Sequence, residues 1–202
     1  MLLEMILYLE SRKRRVSILT NSIFFDTDCI SAFLWVNNEC ILEKLYYGKI
    51  VIPKEVYNEL SNPCVTHLKE KIDSLIKKNA VEILSIEIDT EEFELFCKMT
   101  KRPERGYKII GKGEAASIVL AKKYEGILGS NNLKDISNYV NLFSLKHLTT
   151  GDILLEAYDK NIITEKEGNE IWRKMINKKR KLGASSFTEY IKNNALKYWI
   201  MI

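Results

Sequence analysis

Four acidic residues stand where the chain leaves a predicted strand or enters a predicted helix. They are Asp26 in FFDTD, Glu59 in IPKEVYNELS, Glu114 at the head of GKGEAAS and Asp135 within SNNLKDI. In an open α/β sheet, ligands bind beyond the carboxyl ends of the strands, so acids at such junctions are placed to meet. Carboxylates that meet repel one another, by roughly 4 kcal/mol for two unit charges about 4 Å apart at an effective dielectric near 20. A divalent cation turns that repulsion into attraction, and oxygen ligands without Cys or His suit Mg²⁺ or Mn²⁺. Each acid also has an ordinary reading. Asp28, two residues after Asp26, suits a helix cap. Glu59 is equally a solvated helix residue, forming with Glu55 a like-charged i,i+4 pair. Glu114 favours the positive end of its helix dipole, and Asp135 is an exposed residue at a helix start. Taken singly these readings suffice; taken together the acids fit a cation site.

The elements that must position them alternate between strand and helix. Short apolar runs predict strands at 22–25, 50–52, 81–88, 127–129 and 143–148. Helical spacing predicts helices at 30–35, 41–47, 53–60, 68–76, 91–99, 114–124 and 133–140, with Pro53 in a first turn. The basic, polar stretch 101–112 reads as a loop. Thr164 with Glu167 and Ser186 with Glu189 make two capping boxes in a helical tail. Strand–helix alternation implies a parallel sheet covered by helices on both faces. The expected organisation is one α/β domain over 1–165, with a short N-terminal extension over 1–16, followed by a helical C-terminal extension over 166–202.

Composition sets outer bounds. The chain has 202 residues, 46% hydrophobic and 29% charged, enough for one domain with a substantial core. No apolar stretch reaches the ~18 residues of a membrane span. The start, MLLEMILYLESRKRR, places apolar residues before basic ones, the reverse of a secretory signal. Cys29, Cys40, Cys64 and Cys97 are scattered and form no CxxC pair, and a single histidine near one of them, His67 after Cys64, makes no ligand set; this argues against zinc and for free thiols in a cytoplasmic protein. A net charge of +4 permits a nucleic-acid partner without demanding one.

In their order along the chain, these motifs resemble those of the PIN-domain ribonucleases, which include VapC-type toxins. FFDTD resembles the family's opening element, with Asp26 as metal ligand and Thr27 in its hydroxyl position. IPKEVYNELS resembles the helix that carries the second acid, Glu59. GKGEAASIVLAKKYEG resembles the third element, with Glu114 at the acidic position. ILGSNNLKDI resembles the hydroxyl, Asn, then Asp element, with Ser130, Asn132 and Asp135 in those places. The likeness spans about residues 20–165. Asp28 departs from it by standing where the family often has Asn, and Asn131 by standing where some members carry an acid. The resemblance implies a PIN-like three-layer α/β/α domain with a parallel central sheet, and metal-dependent hydrolysis of RNA phosphodiester bonds by an endoribonuclease. Asp26, Glu114 and Asp135 would hold one or two Mg²⁺ or Mn²⁺ ions, with Asn131 or Asn132 as a neutral ligand or water-holder. Glu59 would bind a second ion or orient the attacking water, and Thr27 and Ser130 would hold a carboxylate or a bound water. Substrate charge would be met by Lys101, Arg102, Arg105, Lys108 and Lys112, and by the tail run Lys178-Lys179-Arg180-Lys181; a solvated surface explains both runs equally well. Toxins of the family pair with an antitoxin protein, often as homodimers. The apolar end of this chain, with Leu196, Tyr198, Trp199, Ile200, Met201 and Ile202, suits either packing on the core or such a partner.

Two other readings use the same residues. Haloacid-dehalogenase-like phosphatases also open with a strand and DxD, which Asp26 and Asp28 match, and Ser130-Asn131 and Gly151-Asp152 mimic their later motifs. Against this, Cys29 stands where that family has Gly. The stretch from Ser130 to Asp152 is also too short for the helix, lysine motif and strand that must intervene, and Glu59 and Glu114 are left without a role. A PIN-like fold that only binds RNA or a partner is the other alternative; four intact acids favour activity.

Overall fold

The computed structural model describes residues 19–63, 66–101 and 108–200, with side chains to residue 194. Five strands, β1 (Ile23–Phe25), β2 (Ile50–Pro53), β3 (Val81–Leu84), β4 (Ile127–Gly129) and β5 (Lys146–Leu148), form one sheet in the order β3-β2-β1-β4-β5. Every neighbouring pair is parallel. Phe25 lies opposite Gly129, and Gly129 opposite Leu148, so the first residues beyond three strands, Asp26, Ser130 and Thr149, emerge side by side. The chain order reverses between β1 and β4, which makes that edge the topological switch point where open α/β sheets bind ligands.

The alternation of side chains along β1 divides the core in two. Ile23 and Phe25 pack into one apolar cluster with α1 (Thr27–Trp35), α2 (Glu39–Tyr46), α3 (Lys54–Leu60), α4 (Thr66–Lys77) and α8 (Thr150–Asp159). Phe24 points into the other, with α5 (Glu91–Thr100), α6 (Lys112–Lys123) and α7 (Leu133–Leu142). This is the three-layer α/β/α arrangement expected from the alternation. Helix α6 is buried continuously from Ala115 to Ala121, because it crosses the centre of the sheet with small residues facing the strands.

The observed boundaries differ from those read in the sequence where a cap or a turn overrides periodicity. Helix α1 begins at Thr27, three residues before the first periodic apolar residue, because Asp26 caps it. Pro53 ends β2 and is the N-cap of α3 rather than part of its first turn. Strand β3 stops at Leu84, leaving Ile88 71% exposed. Strand β5 starts only at Lys146, since Phe143 caps α7 and Ser144 takes a left-handed turn with φ of 50°. The first tail capping box, Thr164 with Glu167, forms as expected. In the second, Ser186 accepts the Glu189 N–H at 3.1 Å, but the Glu189 carboxylate turns back to the N–H of Ser185 at 2.9 Å.

Helices α9 (Glu165–Asn177) and α10 (Phe187–Ile200) close the chain, and Ile171, Trp172, Met175 and Phe187 belong to the same cluster as Ile23 and Phe25. Two glycines make this docking fit. A Cβ at Gly168 would lie 2.2 Å from the Phe187 ring, and one at Gly151 would lie 2.4 Å from the Tyr190 ring. No helix among the described residues is long and apolar enough to cross a membrane. The expected extension over 1–16, Arg102 and Arg105 of the basic loop, and the apolar side chains beyond residue 194 lie outside the described residues.

Because the Phe187 ring is buried and cannot move aside without opening the core, Gly168→Ala is expected to lower stability by about 1–3 kcal/mol, the usual cost of overpacking. Thermal unfolding measures it; an unchanged melting temperature would show that α10 is not seated on this glycine.

Candidate active site

Asp26 is the first residue past the central strand, and its N–H donates to the Gly129 carbonyl at 2.9 Å, continuing the β1–β4 ladder by one residue. Its side chain is only 1% exposed. Oδ1 accepts the Cys29 N–H at 2.7 Å and so caps α1. Oδ2 is buried and accepts no well-formed hydrogen bond among the described residues. Burial pushes the carboxyl up to a pKa of about 7, and the charges of Asp28 and Glu114 act in the same direction, against the Ser130 hydroxyl and the Cys29 amide. A buried carboxylate oxygen with an open lone pair is the kind of group a cation satisfies.

Glu59 reaches the same place from α3. The Thr27 hydroxyl donates to its Oε2, and the Gly113 N–H donates to its Oε1 at 3.1 Å. Gly113 leaves the room for this: a Cβ there would stand 2.7 Å from the Thr27 hydroxyl and 2.9 Å from Glu59 Oε2. Glu114, in the first turn of α6, accepts the Gly111 N–H at 3.2 Å through Oε2 and the Asn132 amide at 2.7 Å through Oε1. Asn132 also donates to Asp135 Oδ2 at 2.8 Å, so one amide spans the two acids. Asp135 itself is turned outward and pairs with Lys108 at 2.5 Å, which with the Asn132 amide holds its carboxyl below the usual range.

A cleft of about 330 Å³ opens over this end of the sheet, lined by Asp26, Asp28, Glu59, Gly113, Glu114 and Arg180 among others. Of the four acids singled out in the sequence, three line it; Asp135 is linked to it through Asn132. Asp28 is not the helix cap. It sits on the rim, where Arg180 donates to its Oδ1 at 3.0 Å. Asn131 supports the rim, with its amide donating to Thr150 Oγ1 at 2.8 Å and to Asp28 at 3.4 Å. Ser130 is buried, and its hydroxyl accepts the Asn132 N–H at 3.3 Å. Lys112 is exposed at the start of α6, and Lys108 is committed to Asp135.

Arg180 is the cleft residue whose place the sequence left open, since it stood there only as one member of a basic run. Lys179, left-handed at φ 59°, turns the chain at the end of α9, and the Arg180 N–H returns to the Met175 carbonyl at 3.0 Å. The turn aims the guanidinium at Asp28. The role of Gly113 was likewise hidden, its only signal being the glycine-flanked lysine of GKGE.

Among the described residues no three His, Cys, Asp or Glu side chains already converge as a ligand set. The fit to a cation rests on the open Oδ2 of Asp26 and on the oxygen-only chemistry of Glu59 and Glu114 around it, which suits Mg²⁺ or Mn²⁺. The residues a phosphatase would need are engaged elsewhere. Asp152 completes the capping box of α8 with Thr149 and accepts the Tyr190 hydroxyl at 2.7 Å.

Compared with known families, the chain matches the model of DUF3368, described as a PIN domain, over residues 22–195. The match covers all five strands and runs into α10. PIN domains are generally metal-dependent nucleases that use Mg²⁺ or Mn²⁺. No curated protein matches the chain.

Two outcomes follow from the geometry. An Asp26 carboxyl with a folded pKa of about 7 against 3.8 when free keeps its proton in the folded state while the unfolded chain has lost it. Its stabilising contribution is therefore complete below about pH 4 and disappears as the pH rises through 7. In chelator, wild type should lose about 1–3 kcal/mol relative to Asp26→Asn between pH 5 and pH 8, measured by urea unfolding; a constant difference would mean that Asp26 carries no such burden. Gly113→Ala should leave stability within about 1 kcal/mol, because a helix gains from alanine and only side-chain ends are displaced. It should nevertheless cut metal-dependent activity at least about 10-fold by pushing Glu59 off its seat; full activity would show that the Glu59 position is immaterial.

Proposed function

Since the chain belongs to the PIN-domain family, we propose that it is a metal-dependent endoribonuclease that hydrolyses RNA phosphodiester bonds, and that it serves as the toxin of a toxin–antitoxin pair. The observation that carries the nuclease reading is the buried Asp26 carboxylate, open at Oδ2, at the switch point of the sheet and within a cleft lined by Glu59 and Glu114.

In this reading Asp26 and Glu114 would hold Mg²⁺ or Mn²⁺, and Asp135 would complete the set as its outer member by fixing Asn132, which in turn fixes Glu114. The bound ion supplies positive charge that polarises the phosphate and acidifies a water. Glu59, clamped by Thr27 and Gly113, is held with its carboxylate facing the cleft, where it would accept a hydrogen bond from the attacking water. Thr27 and Ser130 hold the acidic groups in place. Arg180, and Lys112 with Arg105 of the same basic loop, meet the negative charge of the substrate. Arg180, from the segment expected as an extension over 166–202, lines the cleft.

RNA as substrate, the antitoxin partner and a homodimer are supported by likeness to VapC-type toxins and by the basic residues around an acidic cleft. A cytoplasmic location is supported by the free thiols of Cys29, Cys40 and Cys97. A short open reading frame directly upstream of the gene would support the toxin role.

The test is cleavage of single-stranded RNA in Mn²⁺. Wild type should cut, while Asp26→Asn and Glu114→Gln, both still folded, should lose about 100-fold or more. Asp28→Asn should stay within about tenfold of wild type, since Asp28 lies on the rim. A folded wild type that leaves RNA intact in Mn²⁺ would overturn the proposal, and loss of phosphomonoester hydrolysis on Asp28→Asn would point to a phosphatase instead.

A further inference from the structure

A second cleft, of about 470 Å³, lies beside the first at the same end of the sheet, over β4 and β5. Its lining includes Asn131, His147, Lys181, Tyr190, Asn193 and Asn194. The two clefts share walls. Asn131 lines the second and donates to Asp28 on the rim of the first. Arg180 lines the first and its neighbour Lys181 the second, so the turn after α9 runs between them.

The polar groups here are of several kinds, and the carboxylate among them is already engaged. His147 Nε2 lies 2.8 Å from the Ser130 carbonyl, which makes Nε2–H the donor and leaves Nδ1 as the ring's acceptor. Burial holds this imidazole below its ordinary pKa, so it is neutral at pH 7. Asn194 spends its amide on the Tyr190 carbonyl at 2.9 Å and keeps its Oδ1. Lys181 and Asn193 show no hydrogen bond or ion pair to another described residue. The cleft's carboxylate, Asp152, is already engaged by Thr149 and Tyr190. Leu133, 47% exposed, and Leu182 add apolar surface.

Mixed donors and acceptors beside apolar side chains, with one cation, Lys181, suit a flat heteroaromatic ring with a phosphate attached. A site for an anion alone would carry several cations, and a site for a purely apolar ligand would not spend amides and an imidazole. We propose that this second cleft is a nucleobase subsite, which takes the base of the nucleotide next to the phosphodiester held in the first cleft and gives the enzyme a sequence preference at that position. The inference rests on the nuclease reading for the adjacent phosphodiester, while the base-binding chemistry stands on the cleft itself. Single-stranded RNA is the substrate form it fits, because a base can enter only when it is unstacked and unpaired.

The experiment is binding of AMP, GMP, CMP, UMP and ribose 5-phosphate to the full chain in EDTA, followed by titration calorimetry and backbone NMR shifts. At least one nucleotide should bind tenfold or more tightly than ribose 5-phosphate, with shifts at Lys181 and Asn193. Lys181→Ala and Asn193→Ala, both surface changes, should each weaken it threefold or more. In RNA cleavage, Asn193→Ala should change the base preferred beside the cut while cutting persists. Equal binding of ribose 5-phosphate and all four nucleotides, no binding up to about 10 mM, or variants that bind and cut like wild type, would overturn the subsite. If wild type cuts RNA but fails these tests, the subsite alone is wrong. If nucleotides bind as expected and no RNA is cut in Mn²⁺, the nuclease reading is wrong and the base site stands.

Discussion

The structure turns on one carboxylate buried at the end of the central strand. Asp26 has one oxygen satisfied by the first turn of α1 and another that the described chain leaves open. Leaving a buried acceptor unsatisfied costs about 1–3 kcal/mol, and more when it is charged. The Ser130 hydroxyl and the Cys29 amide offset only part of that cost, and the charges of Asp28 and Glu114 add to it, so the carboxyl remains well above its ordinary pKa. A fold that only needed to be stable would have placed a neutral residue there. The short parallel strands, the switch in strand order and the crossover helices all bring further oxygens towards this one.

The same residue serves two purposes with its two oxygens. Oδ1 starts α1 and thereby fixes the strand-to-helix turn; Oδ2 remains available to a cation. Asn would keep the cap, since it caps helices as well as Asp does, and would remove the charge. Around this point the supporting contacts are short and local: Thr27 and Gly113 seat Glu59, Asn132 seats Glu114, and Lys108 holds Asp135. Farther out, Gly151 and Gly168 let the rings of Tyr190 and Phe187 approach α8 and α9, which seats the C-terminal helices and with them the turn that carries Arg180. Packing remote from the cleft thus determines whether a cation-bearing side chain reaches its rim.

Much of this was legible in the sequence, because apolar runs bounded by polar turns mark strands even when they are three residues long. Strand β4 falls where ILG predicts it, and three of the four acids meet in one cleft. What the sequence did not show depends on side-chain geometry. Periodicity places the start of α1 at Ile30, since it detects the buried face of a helix and not its cap, and so it leaves Asp28 open as cap or rim; the structure gives the cap to Asp26 and the rim to Asp28. β3 was read four residues too long because alternation continues to Ile88 after pairing has ended at Leu84. Arg180 stood in a run of four cations, and nothing in composition distinguishes the one that a left-handed turn directs inward. Asp135 looked equivalent to Glu114, yet an amide and a lysine hold it one step outside the cleft.

The central claim, that Asp26 is buried in order to hold a divalent cation, is tested most directly by calorimetric titration of Mn²⁺ into chelator-free protein, wild type beside Asp26→Asn, at pH 7.5 with both shown to be folded. Wild type should bind Mn²⁺ with saturable heat. The variant, which keeps the helix cap but lacks the charged oxygen, should show binding weakened at least about 100-fold. Equal affinity in the two proteins, or no binding to either, would contradict the account.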